Sequence, residues 1–161
     1  MYGSRKEKDM KINTVRFGEL EMEEQKVINF VSGPMGFENM TKWVLIDNGL
    51  LGWLQSVEDP ELAFVVANPF EFYGDYEFEI NESEMKNLAV INNADVTVLS
   101  IVSVPPKVEN MTINLLAPIV INYKEQKAKQ VILSNNKYSV RHYVYSDLLK
   151  CSQNKKEVVN A

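Results

Sequence analysis

One cysteine and one histidine are all that this chain of 161 residues offers to thiol or imidazole chemistry. Cys151 alone cannot form an internal disulfide, which excludes a disulfide-built secreted fold and makes a reducing compartment the expectation. A metal site of ordinary strength needs several His, Cys or carboxylate ligands at fitting spacing. His142 and Cys151 form no tight pair and supply no such set, and His142, alternating with Val140 and Val144, reads as a strand residue without a chemical role. There is no Gly-x-Ser-x-Gly elbow, no Gly-rich phosphate loop and no Gly-x-Gly-x-x-Gly. No apolar run approaches the roughly 18 residues of a membrane span. The first nine residues, Met1 to Asp9, hold no apolar core of a secretory signal. Catalysis, metal binding, a cofactor and membrane residence are therefore not expected, and the chain reads as cytoplasmic.

A further absence is more informative. Between Lys42 and Lys86 the chain runs 43 residues without a Lys or Arg, yet places ten carboxylates there. From Lys124 to Ala161 eight cations face three acids, so a net charge of −5 conceals a −10 block and a +5 block. Such asymmetry speaks about partners, not about fold. An acidic surface repels nucleic acid and attracts a basic partner.

What is present is ordinary for a globular domain: 45% hydrophobic and 24% charged residues. Length predicts one domain, large enough to bury about 68–70% of the surface its unfolded chain exposes. Residues 1–10 read as a flexible polar leader, 11–150 as the folded domain, and 151–161 as a polar tail. Between these ends, short β-type runs are punctuated by turn residues. Lys26–Val31, Lys42–Ile46, Leu62–Ala67, Asp75–Ile80, Asp95–Val104, Met111–Leu115, Ile119–Tyr123 and Lys129–Leu133 are the predicted strands, and Asp75–Ile80 alternates acid and apolar strictly. Two short helices are expected: one capped by Asn81 with Glu84 three residues on, and one near Ser146–Lys150. The predicted fold is mostly β, a single-domain antiparallel barrel-like structure with one or two short helices.

The residues leave three functional classes to compare: acid–base catalysis, nucleic-acid binding and protein recognition. Asp75, Glu77 and Glu79 share one face of a strand, where a carboxylate pair could serve acid–base chemistry, but such a row is more often a solvated face. Stacking of single-stranded nucleic acid on aromatics needs a basic groove. Here Phe70, Phe72, Tyr73 and Tyr76 lie in the acidic stretch, so nucleic-acid binding is the alternative and not the main reading. Protein recognition remains. Tyr76, Phe78 and Ile80 are expected to be buried together, while Phe70, Phe72 and Tyr73 are the candidates for exposed anchors. Gly33, Pro34 and Gly36 read as turn chemistry, Asp59–Pro60 as a turn, and Asn114 and Pro118 as a strand end or bulge. Gln55 and Ser56, polar groups following an apolar run, could satisfy buried backbone or reach a partner.

Four pieces stand in order along the chain: Phe30-Val31-Ser32-Gly33-Pro34-Met35-Gly36-Phe37-Glu38; Trp53-Leu54-Gln55-Ser56-Val57-Glu58-Asp59-Pro60 with Ala63-Phe64; Asn68-Pro69 leading to Asp75-Tyr76; and Asn114-Leu115-Leu116-Ala117-Pro118-Ile119-Val120-Ile121-Asn122 followed by Gln130-Val131. Together they resemble the flagellar assembly factor FliW family. The resemblance spans roughly Lys11 to Tyr145; one departure is Asn68, where the family more often has an acid before the proline. It implies a non-enzymatic β-barrel-like domain that binds flagellin and also CsrA, the small RNA-binding repressor of flagellin translation. Export of flagellin would free the factor to capture CsrA, away from its RNA surface. The partner-binding residues expected on this chain are Gln55, Ser56, Glu58, Asp59, Glu61, Phe70, Glu71, Phe72, Tyr73 and Asp75. No cofactor, metal or direct nucleic-acid contact is expected, and the chain alone is expected to be monomeric.

Overall fold

Gly18 holds a left-handed backbone, φ +69°, that lets the first hairpin of the chain turn. The hairpin joins β1 (Asp9–Thr14) to β2 (Gly18–Glu23) in antiparallel register from Asp9↔Glu23 to Thr14↔Gly18. The computed structural model describes residues 9–47, 49–134 and 137–151. Asp9 and Met10 thus already belong to a strand, while the remainder of the expected leader lies outside the described residues, as does the tail from residue 152. Ile12 and Thr14 face inward and Lys11 and Asn13 outward, the alternation a half-buried strand requires. The sequence reading passed over this pair because β2, Gly-Glu-Leu-Glu-Met-Glu, is rich in charge.

A 3-10 turn at Glu24–Lys26 leads into β3 (Ile28–Phe30), followed by β4 (Lys42–Asp47), β5 (Gly52–Ser56) and β6 (Ala63–Ala67). Two short helices come next, α1 (Pro69–Phe72) and α2 (Glu82–Asn87). Then follow β7 (Val96–Ser103), β8 (Thr112–Ile113), β9 (Ile119–Asn122), β10 (Lys127–Gln130), β11 (His142–Tyr143) and a helix at 145–151, α3. Consecutive strands β3 to β7 pair antiparallel; β7 then meets β9, β9 meets β10, and β10 returns to β3, closing a ring of seven. The last pairing is parallel, Lys127↔Asn29 and Ala128↔Phe30, so the barrel is not antiparallel throughout. β8 lies on the same edge of β7 as β9, and the two are one strand interrupted at 114–118. Asn114 sets the interruption: its side-chain oxygen accepts from the Ala117 N–H at 3.0 Å.

Inside the ring sit Phe30, Trp43, Leu54, Val66, Leu99, Ile119 and Ile121. Trp43 is fully buried, its indole N–H donating to the Met40 carbonyl at 2.7 Å and its ring against Phe30 and Phe64. The β1–β2 hairpin covers the outside, packing Ile12 on Val27 and Val44, with Arg16 4.2 Å above the Trp53 ring and Phe17 at its edge.

Several expectations need correction. Asp75–Ile80 forms no strand. Its alternation survives as alternating burial, but no neighbouring strand among the described residues reaches it, and Tyr138 bonds Glu77 where a ladder would be. Met111–Leu115 shortens to β8, and the strand expected at Lys129–Leu133 lies at Lys127–Gln130. α1 was not foreseen, making three short helices where one or two were expected. Asn68 caps it by accepting from the Phe70 N–H at 3.0 Å, and Pro69 occupies its first turn. The helix at Asn81 is as read, with the cap oxygen on the Glu84 N–H at 2.8 Å.

Candidate partner-binding surface

The stretch Leu54-Gln55-Ser56 continues β5 in register with Leu45, Val44 and Trp43, and the β1–β2 hairpin packs over its outer side at Val44 and Trp53. Gln55 and Ser56 are both fully buried. The Gln55 amide nitrogen faces four carbonyls: Ser56 and Leu62 at 3.1 Å, Asp59 at 3.3 Å and Pro60 at 3.4 Å. Its oxygen has no hydrogen-bond partner among the described residues. The Ser56 hydroxyl accepts from the N–H groups of Glu58 and Asp59. Both side chains build the 57–62 turn from beneath, so neither can touch a partner as the sequence reading allowed.

What they hold up is acidic. Glu58 and Glu61 are exposed and Asp59 half-exposed. Asp59 accepts from the Glu61 N–H, and Glu58 reaches back to the N–H groups of Thr41 and Lys42 at 3.2 and 3.1 Å. This clasp fixes the turn against the start of β4.

The other residues lie past the far end of β6. α1 places Phe70 outward at 44% exposure and Phe72 inward at 9%, because one helical turn cannot show both rings to solvent. Phe72 is therefore core, and the expectation of an exposed anchor there is withdrawn. Tyr73 is half-buried against Tyr138 and His142, edge-on to both. Glu71 and Asp75 are exposed. Cys151, on α3, donates its thiol proton to the Glu71 carbonyl, pinning that helix beside α1.

The acids thus fall into two groups, Glu58, Asp59 and Glu61 at the start of β6 and Glu71 and Asp75 beyond its end. Six residues of near-extended chain lie between Glu61 and Asn68, which sets the two ends roughly 20 Å apart. Physiological salt screens charge over about 8 Å, so the groups act as separate fields. None of the five forms an ion pair among the described residues. The basic block does reach the acidic one elsewhere: Lys129 meets Glu84 at 2.7 Å and Lys137 meets Glu77 at 3.8 Å.

The sequence reading missed a cleft of about 560 Å³ beside α1, lined by Phe78, Ile80, Met85, Leu88 and Val96. The i, i+2 spacing of Tyr76, Phe78 and Ile80 was the available signal. Tyr76 is buried, donating its hydroxyl to the Leu115 carbonyl at 2.7 Å, and burial pushes its pKa far above the ordinary value near 10, with the nearby Tyr138 adding to the effect. Burial also raises Tyr123. A folded-state pKa above the unfolded one means a contribution fully present below pH 10 and lost as pH rises above it. Tyr76→Phe is expected to lower stability by about 1–2 kcal/mol at pH 7 by leaving the Leu115 carbonyl unpaired. It should also flatten the loss of stability above pH 10; urea unfolding of both proteins at pH 7 and in the alkaline range checks this.

Among the described residues no group of three or more His, Cys, Asp or Glu could hold a metal ion, and no helix is long and apolar enough to cross a membrane. The sequence profile of the FliW protein family matches residues 11–144. The chain is 39% identical over 148 residues to the flagellar assembly factor FliW of Alkaliphilus metalliredigens, covering 89% of this chain and 91% of that one. It is 41% identical over 134 residues to the FliW of Caldicellulosiruptor bescii, covering 82% and 88%. A crystal structure of the flagellar assembly factor FliW superposes with a TM-score of 0.80 at 34% identity, over 84% of this chain and 97% of that one.

Proposed function

Because the chain belongs to the FliW family of flagellar assembly factors, we propose that it works in the cytoplasm as a non-catalytic, monomeric binding protein for flagellin and for the translational repressor CsrA. Free of flagellin, it captures CsrA and lifts repression; bound to flagellin, it does not. The observation that carries this reading is the pair of exposed acidic groups flanking β6, Glu58–Glu61 and Glu71–Asp75, without cationic partners among the described residues. A repressor that binds RNA presents basic surface, and complementary charge speeds encounter while keeping RNA off the complex. Phe70, exposed beside Glu71, supplies an apolar anchor and half-buried Tyr73 a second contact.

Glu71→Lys with Asp75→Lys is expected to slow CsrA association about tenfold at low salt, with little change in thermal stability. The matched pair Glu58→Lys and Glu61→Lys shows which end of β6 the repressor meets. Unchanged association in both variants, followed by stopped flow at two salt concentrations, would refute the charge argument. In a gel shift the protein alone should leave RNA unmoved yet release it from CsrA. A shift by the protein alone would favour a nucleic-acid-binding barrel instead.

A further inference from the structure

β6 pairs with β7 at Val65↔Val102, Val66↔Ile101 and Ala67↔Ser100, then leaves the sheet where Pro69 opens α1. The first half of β7, Val96–Leu99, therefore has β9 on one edge and no strand on the other among the described residues. The 560 Å³ cleft opens between this half-strand, α2 and residues 76–80.

Residues 76–80 have a strand's sequence and a strand's alternation of burial but no strand beside them. The Tyr138 hydroxyl takes the place of one partner residue, accepting from the Glu77 N–H at 3.0 Å and donating to the Glu77 carbonyl at 3.1 Å. Beyond it, the backbone N–H and C=O groups of Phe78, Glu79 and Ile80 have no protein partner among the described residues. Backbone groups in this position bond to water that a second chain can replace.

We propose that this cleft is a strand-addition site for an extended segment of a protein partner, one that alternates apolar and basic side chains. Its backbone bonds the N–H and C=O groups of Phe78 and Ile80, on the edge opposite Tyr138, and its apolar side chains enter the cleft against Phe78, Ile80, Met85 and Val96. Its Lys or Arg side chains meet Glu77 and Glu79, both exposed. The Lys137–Glu77 pair is solvent-exposed on both sides and easily exchanged, whereas Glu84 is held by Lys129 and takes no part. Lys86, the one cation of α2, is exposed and stands one helical turn from Glu82. A helical segment would fill the cleft but would leave the backbone groups of Phe78 and Ile80 unmet.

The proposal rests on the reading of the chain as a protein-binding factor, and the test separates the two. A short synthetic peptide of alternating valine and lysine is titrated into the isotope-labelled protein, with a helix-forming peptide of leucine, alanine and lysine in parallel. The alternating peptide is expected to slow amide exchange at Phe78 and Ile80 about tenfold or more, with the Glu79 amide, on the other edge, little changed. Glu77→Lys with Glu79→Lys should weaken its binding about tenfold. Absence of binding, binding that leaves the Phe78 and Ile80 amides unchanged, or equal binding by the helical peptide overturns the cleft. Capture of CsrA or flagellin without protection by the peptide would leave the function standing and the cleft refuted; protection without either complex would do the reverse.

Discussion

Gln55→Glu is expected to cost about 3–5 kcal/mol at pH 7 and far less near pH 4. The substitution keeps shape and volume but replaces an amide nitrogen with an acceptor where four carbonyl oxygens converge within 3.4 Å. An ionised carboxylate there is fully buried with no donor, the case in which an uncompensated charge costs most. The group responds by holding its proton, so its folded pKa rises above the ordinary value of about 4.3. Such a shift leaves stability intact below pH 4 and erodes it by about 1.4 kcal/mol for each pH unit above, up to the folded pKa. The protonated form restores only one of the lost donors, so recovery at low pH is incomplete. Gln55→Leu is the control: Asp59, Pro60 and Leu62 each keep a second donor, from Leu62, Val15 and Ser56, and the change also removes the unpaired Gln55 oxygen. It should cost about 1–2 kcal/mol with no acid recovery. Denaturant midpoints of the two variants between pH 4 and 8 decide; parallel pH profiles would disprove the carbonyl cage.

Gly33→Ala is expected to remove at least about 3 kcal/mol, lowering the melting temperature by roughly 10 °C. The reason is space, not backbone freedom. A methyl group at this buried position would lie inside contact distance of the Phe37 and Met40 carbonyl oxygens, neither of which can step aside. The Met40 carbonyl already accepts from the Trp43 indole, and the Phe37 carbonyl from the Met40 N–H. Moving either opens the loop from 33 to 40 and loosens the largest side chain of the core. Thermal unfolding followed by Trp43 fluorescence checks it; a variant within about 1 kcal/mol of the parent would show that the loop yields.

Strands with one plain apolar face were legible in the sequence. Lys42–Asp47, Ala63–Ala67 and Val96–Ser103 lie within two residues of where periodicity put them. The hidden elements depended on partners distant in the chain. Gln55 and Ser56 read either as backbone partners or as partner contacts until the hairpin is seen to cover β5, and the hairpin's own second strand reads as too charged for a strand until Ile12 beside it packs on Val44. Residues 75–80 misled in the opposite sense, because alternation predicts a pleat but not whether a neighbour exists. The acidic block was plain as a run of sequence, yet β6 divides it in space. Which aromatic faces outward could not be read without α1, whose single turn sends Phe70 and Phe72 apart.

The parallel seam between β3 and β10 has a consequence for assembly of the chain itself. Ring closure joins Asn29 to Lys127 and Phe30 to Ala128, partners nearly a full domain apart. During synthesis the strands from β3 to β7 can pair as each emerges, but they remain an open, curved sheet until β10, in the last fifth of the domain, leaves the ribosome. Contacts of such long sequence separation slow folding, and the waiting edge of β3 is open to stray pairing until then. Refolding that is fast to a sheet-rich intermediate and slow to the closed state follows from this, with the Ala128 amide among the last to gain protection.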